Sequence, residues 1–498
     1  MDGTTTWTSI GERRGQDPLA MRAPVESLYR RLLSGFSTVT TRPRYYCFHA
    51  WWLSSYANDN PTDSRDDYDD RARRAEALYA LASLYNPDHP AESSGEVGIS
   101  GRDYAISTLS WDKDVIDFQR ATDRNTDPKD RYIRRKGGDF SQVYAPQMRE
   151  IGLLATHSSR KFVVPTEQGR ALADVFAASI GAAGPAFLSA AKSGRVDRDT
   201  LRQISVMRPS ALKDAPEEAA ALLDLLMGRT IPRPDHIARR DTLRLILQEA
   251  TRETDRKLDQ ERLRWHWMET DPDPGSPLFE THASWRHFQA GDTARLVCEL
   301  LLRTALEYLT DQPAGYRLPE LAAIVASPAS DAETLGGYLA RLDTENGNSS
   351  LEDIQARVLD STPSLDDILA PLARLWRIWG ADPTPLLADY KPLPERQTVA
   401  TLLQWIEAEN DRPAAEAIAA FCSQFVLRRH LTIASRKLRD GRYTYLFEFE
   451  DGRLLFRESL WVSGSGPRLA TALRFMDDAG LLQGGQLTDI GRAEMEAA

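Results

Sequence analysis

The sequence predicts a mainly α protein: a helical scaffold carrying two small α+β modules and a C-terminal β-hairpin. Three observations carry that prediction. Apolar residues recur at spacings of three and four along most of the 498 residues, which is the period of an amphipathic helix. A short pattern, Gly-Leu-Leu followed by Thr-x-x-Gly-Arg-Ala, occurs twice, beginning at Gly152 and at Gly480. Two β-rich runs, Tyr443 to Phe449 and Leu454 to Phe456, flank Asp451-Gly452, a dipeptide suited to a two-residue hairpin turn.

Length sets the organisation at roughly three domains, by the usual ~150 residues each. Shifts in pattern divide the chain into an N-terminal helical domain with an aromatic helix (1–138), a first α+β module (139–195), a central helical domain (196–427) and a last segment (428–498) with a basic stretch, the hairpin and the second module. Hydrophobic residues at 42% and charged residues at 27% are ordinary for a globular core. Lys and Arg number 62 against 73 Asp and Glu, a formal net charge of −11. That balance excludes a protein that coats nucleic acid with its whole surface, because polyanion binding is driven by basic groups; local basic patches remain open. Cys47, Cys298 and Cys422 lie far apart and read as reduced thiols of a cytoplasmic protein. No run of ~18 apolar residues and no apolar stretch in Met1 to Pro18 predicts a membrane span or a signal peptide.

In chain order, Val25 to Leu33 reads as a short helix. Pro43 suits the first position of a second helix, where its missing N–H is harmless; Tyr45, Phe48, Trp52 and Tyr56 then fall on one face and predict core packing. Asp59 to Asp70, with six Asp and one Arg, reads as a solvated acidic segment, and Ala75, Leu78, Leu81 and Leu84 as a further helix. Asn86 to Gly101 is a Pro-, Ser- and Gly-containing loop. In the central region Asp292 fits the cap of a helix through Val297, Leu301, Ala305 and Tyr308, while Pro272, Pro274, Pro277, Pro383 and Pro385 punctuate helices. Trp265, Trp267 and Trp285 form a cluster there.

The duplicated pattern has a mechanical reading. Gly152 and Gly480 suit the residue after a helix, which favours positive φ. The paired leucines start a short strand, the variable middle is a hairpin, and Thr166 or Thr488 caps the closing helix. This helix, strand, hairpin, strand, helix order resembles a winged helix, giving a mainly α scaffold with two winged-helix-like α+β modules. Such a resemblance implies DNA binding or protein docking, and charge has to choose between them. Arg124 to Lys136 holds six basic residues (Arg124, Lys129, Arg131, Arg134, Arg135, Lys136) against two Asp. Arg428 to Arg442 holds Arg428, Arg429, Arg436, Lys437, Arg439 and Arg442 against one Asp. Both runs precede a module, where such groups contact phosphates without reading sequence.

Arg42 and Arg44 sit at the start of the aromatic helix, where a cation opposes the helix dipole by about 0.3–1 kcal/mol. The placement asks for an anion, and a folded-back Asp59 to Asp70 ranks ahead of an external phosphate. Phe36-Ser-Thr-Val-Thr-Thr-Arg-Pro-Arg-Tyr-Tyr46, leading into the aromatic helix, resembles the opening of an uncharacterised prokaryotic family encoded in anti-phage defence islands. Its pattern, Thr-Arg-x-Arg-Tyr-Tyr/Phe, is matched by Thr41, Arg42, Arg44, Tyr45 and Tyr46. The resemblance covers under a tenth of the chain and implies context, with nucleases, helicases and methyltransferases as neighbours, and no catalytic residues.

No P-loop, GxSxG elbow, HExxH or Cys/His zinc spacing occurs. Glu448, Glu450, Asp451 and Glu458 in the hairpin offer carboxylates for a divergent nuclease, but Arg453 and Arg457 replace the lysine such a site uses. The sequence therefore predicts a non-catalytic DNA-binding or assembly subunit of a prokaryotic multi-protein system of the anti-phage kind. It would have no cofactor or metal, duplex DNA and a nuclease or ATPase as partners, and no membrane contact. Two other readings stay open: a divergent metal-dependent nuclease or effector enzyme, and a docking scaffold that does not touch DNA.

Overall fold

A computed structural model describes residues 17–59, 64–89, 93–110, 113–135, 138–157, 162–252, 258–360, 362–390 and 396–496. The fold is mainly α, and among the described residues the strands form small two-stranded antiparallel pairs. The chain divides into two compact units, one holding Met1–Tyr29 with Arg264–Ser465 and the other Arg30–Leu263 with Gly466–Ala498.

The first unit is organised around the 33-residue helix Phe279–Asp311. Every residue from position 287 to 302 is buried, as expected of a helix surrounded on all sides rather than along one stripe. The helices Leu318–Ala326, Leu335–Glu345, Leu365–Trp379 and Ala414–Phe421 belong to the same unit. Asp292, expected as a cap, lies in the middle of the long helix instead. Its carboxylate has other partners: Arg295 at 2.8 Å and Arg264 at 3.2 Å. The hairpin forms as expected, Phe447–Glu450 against Arg453–Phe456 with Phe447 opposite Phe456 and Glu450 opposite Arg453. Asp451 and Gly452 take φ of +48° and +78°, as a two-residue primed turn requires. Tyr316 adds a bridge to the outer strand, giving to and taking from Leu454 at 3.2 and 2.8 Å.

The second unit is built on aromatic packing. The helix Arg44–Asp59 begins one residue after Pro43 and buries Tyr45, Phe48, Trp52 and Tyr56. Phe48 stacks on Tyr79 at 4.0 Å and Tyr45 on Tyr144 at 4.7 Å. Within the acidic stretch the helix Arg65–Leu84 begins, capped by Ser64, with Asp66 and Asp67 in its first turn. Carboxylates are favoured there by the helix dipole. A strand pair without a sequence signal, Val115–Asp117 with Arg195–Asp197, also belongs to this unit. Cys47, Cys298 and Cys422 are buried free thiols. Among the described residues, no single helix is long and apolar enough to cross a membrane.

Candidate functional site

Both modules lie in the second unit and repeat at atomic detail. The first runs from the helix Ala145–Glu150 through the strands Leu154–Thr156 and Val163–Pro165 to the helix Glu167–Ile180. The second runs from the helix Leu469–Asp478 through Leu482–Gln483 and Gln486–Leu487 to Asp489–Glu496. Gly152 and Gly480 take φ of +83° and +77°. Thr166 Oγ1 donates to Gly152 O at 2.7 Å and accepts from Gly169 N at 3.1 Å; Thr488 Oγ1 does the same with Gly480 O at 2.6 Å and Gly491 N at 3.0 Å. Leu153 N and Leu481 N each reach back to a methionine carbonyl, Met148 or Met476, at 2.8 Å.

In a winged-helix reader the helix ahead of the hairpin offers side chains to DNA. Here those helices are engaged inside the unit. Glu150 and Asp478 occupy corresponding positions, and each carboxylate holds the segment that leads into the aromatic helix. Gly35 N donates to Glu150 at 3.0 Å, and Arg42 Nε and NH2 donate to Asp478 at 2.6 and 3.0 Å. Thr471 Oγ1 donates to Ser37 O at 2.9 Å, Arg468 donates to Phe36 O, and the Phe36 and Phe475 rings lie 4.8 Å apart. What the two helices leave exposed is Pro146 and Arg149 in one, and Ala470, Arg474 and Asp477 in the other. Neither face is a basic stripe. The tip of the first hairpin (158–161) falls outside the described residues.

Arg42 and Arg44, expected as phosphate contacts or partners of Asp59 to Asp70, are neither. Arg42 is buried between Asp478 and Glu96, the latter at 2.9 Å. Arg44 forms a two-pronged pair with Glu218 at 3.0 and 2.9 Å through Nε and NH2, and its NH1 donates to the carbonyls of Val206 and Arg208. Its side chain is 2% exposed, so no external anion reaches it. In the first basic run Arg131 donates to the carbonyls of Thr126 and Arg134, and Arg135 pairs with Asp139 at 3.1 Å. Arg134 is exposed, and Lys136 lies outside the described residues.

The second run forms the helix Arg428–Arg439, which buries His430, Ile433 and Ala434. Two of its cations are spent on backbone: Arg429 donates to Leu19 O at 2.9 Å and Lys437 to Asp17 O at 2.7 Å. Burial lowers the Lys437 pKa, as does Arg442. Arg428, Arg436, Arg439 and Arg442 are exposed, Arg442 beside Asp440 at 3.3 Å. This helix belongs to the first unit and the module that follows it to the second. Burial also holds His430 neutral, at a pKa of about 4, with Leu446 N donating to its Nε2 at 2.9 Å.

In the hairpin, Glu448 accepts from Tyr443 at 2.8 Å and from Arg457, which draws it into a surface ion pair. Among the described residues no group of three or more His, Cys, Asp or Glu could hold a metal ion.

Sequence reasoning passed over Trp461. It is 82% exposed, while its neighbours Leu460 and Val462 are 6% and 7% exposed. The strap that carries it is anchored on the long helix: Arg295 donates to Ser463 O at 2.7 Å, and Ser465 gives its N–H and hydroxyl to Asp292 at 3.0 and 2.6 Å. Burial alone would raise the Asp292 pKa, but Arg295, Arg264 and Ser465 together hold it down at about 2. In the sequence Leu460-Trp461-Val462 is an unbroken apolar run, which gives no signal as to which of the three faces outward. Compared with known proteins, the chain matches no family model, no curated sequence and no solved structure.

Proposed function

We propose that the chain is a non-catalytic assembly subunit of a prokaryotic multi-protein system, docking partners such as a nuclease or ATPase. The observation that carries this reading is Trp461, a bulky ring standing in solvent between two buried neighbours, on a strap held on its C-terminal side by buried ions. A pre-organised tryptophan loses little entropy on contact, which is why such residues dominate protein interfaces. The anti-phage setting rests on the resemblance of the Thr41 to Tyr46 segment. Co-expression with the products of adjacent genes tests the proposal: at least one co-elutes with the wild-type chain, and Trp461→Ala releases it without shifting the unfolding midpoint. Absence of any such complex removes the reading.

Duplex DNA binding is the second reading, favoured by the exposed Arg428, Arg436, Arg439 and Arg442. It requires affinity for arbitrary duplex that falls steeply with salt and is weakened by charge reversal along that helix.

A further inference from the structure

A groove of about 330 Å³ lies in the first unit, with Leu318, Pro319, Leu431 and Phe449 as its apolar surface and Arg317 and Arg428 at its rim. Three elements build it. Leu318 and Pro319 open the helix Leu318–Ala326. Arg428 and Leu431 are one turn apart on the helix Arg428–Arg439 and share a face. Phe449 projects from the hairpin and is 59% exposed.

These elements are locked together by hydrogen bonds. Tyr316, next to Arg317, exchanges two backbone bonds with Leu454; Arg453 donates to Gly315 O at 2.9 Å; and Leu446 N donates to His430 on the basic helix. The groove is thus formed in advance of any occupant, which limits the ordering entropy that binding has to overcome. Both rim arginines are exposed, and among the described residues neither guanidinium meets a carboxylate. In a chain of net charge −11, two unpaired cations beside an apolar hollow define an unusual local chemistry: a site for an apolar side chain with carboxylates next to it.

We propose that this groove seats an acidic linear segment of a partner protein, its apolar side chain entering between Leu318, Leu431 and Phe449 while adjacent carboxylates meet Arg317 and Arg428. Charge-assisted pairs with arginine supply orientation, and burial of the apolar side chain supplies affinity. A nucleic-acid strand fits less well. A single exposed ring offers little for successive bases to stack on, whereas one apolar side chain of a peptide fits beside Phe449. The proposal rests on the assembly reading but uses a different surface from Trp461.

The test is fluorescence anisotropy on the full chain with short labelled peptides, each carrying one leucine, phenylalanine or methionine among aspartates and glutamates. At least one binds saturably. Arg428→Glu and Phe449→Ser each weaken it about tenfold or more, the size expected of a truncated interface anchor, with circular dichroism and the unfolding midpoint retained. Binding is lost when serine replaces the apolar residue or amides replace the acids. Should either variant misfold, Arg317→Glu takes its place. Four results overturn the proposal: no saturable binding, binding indifferent to the variants, equal binding of the serine peptide, or displacement by single-stranded oligodeoxythymidine. None of these bears on co-elution through Trp461, so the two readings fail separately.

Discussion

Ser465 donates both its backbone N–H and its hydroxyl to the carboxylate of Asp292, 173 residues away in sequence, at 3.0 and 2.6 Å. That carboxylate is fully buried and also meets Arg264 and Arg295, so it ties the Trp461 strap to the central helix of the first unit. The folded-state pKa of Asp292, about 2 against an ordinary 3.8, makes its contribution present above pH 4 and lost as pH falls from about 4 to 2. The linkage is worth about 2 kcal/mol. Urea midpoints between pH 2 and 7 are expected to drop along the acid limb in the wild type, and less steeply in Asp292→Asn. An unchanged acid limb in the variant contradicts this account.

Glu76 has the opposite sign. It is buried and accepts from Tyr132, Asp139 N and Phe140 N. Desolvation outweighs these donors and pushes its pKa up to about 7, with Asp139 adding to the rise; Arg73 stands over the Tyr132 ring at 5.2 Å. The unfolded chain gives up this proton near pH 4.5 and the folded chain only near 7, so stability falls as pH rises through that window, by about 1.4 kcal/mol per unit of difference. Glu76→Gln replaces the titrating carboxyl with a neutral amide and is expected to flatten the curve from pH 5 to 8. Thermal midpoints that fall as steeply in the variant count against the assignment.

The twin modules predict twin responses. A Cβ on Gly169 would lie 2.2 Å from Leu153 O, and one on Gly491 would lie 2.2 Å from Leu481 O. Glycine to alanine inside a helix ordinarily stabilises by about 1 kcal/mol. Here both Gly169→Ala and Gly491→Ala are expected to destabilise, by about 1–3 kcal/mol, because backbone has to shift to admit the methyl group. Opposite signs at the two positions in chemical denaturation would break the equivalence.

Much of this fold was legible because it is local. Thr166 and Thr488, the two glycines before the paired leucines, the Asp451-Gly452 turn and the stripe from Tyr45 to Tyr56 each act within a few residues, so spacing alone carries them. Asp292 was misread for the opposite reason. A carboxylate ahead of an apolar stripe suggests a cap, and only partners at Arg264 and Ser465, distant in sequence, let it sit mid-helix. The candidate site suffered likewise. A basic run looks the same whether its cations meet phosphate or, as with Arg429 and Lys437, the carbonyls of Leu19 and Asp17. Nor does a chain whose compact units interleave residues 1–29 with 264–465 announce which basic helix shares a unit with which module.

Arg44 offers the sharpest separation of structural from nucleic-acid roles. Its guanidinium and Glu218 are 2% and 0% exposed, every prong is bonded, and Ser179 Oγ adds a bond to Glu218 at 2.7 Å. Removing one partner strands the other charge in the interior, which costs about 3–5 kcal/mol, whereas replacing both with apolar residues of similar volume is close to neutral. Arg44→Ala and Glu218→Ala are therefore each expected to lower the unfolding free energy severely, and Arg44→Met with Glu218→Leu to recover most of the loss. Any residual duplex affinity is expected to be the same in the double variant as in the wild type, since neither side chain reaches the surface. A double variant that folds normally yet loses salt-dependent DNA binding would return Arg44 to the phosphate-contact role and reopen the DNA reading for the whole N-terminal segment.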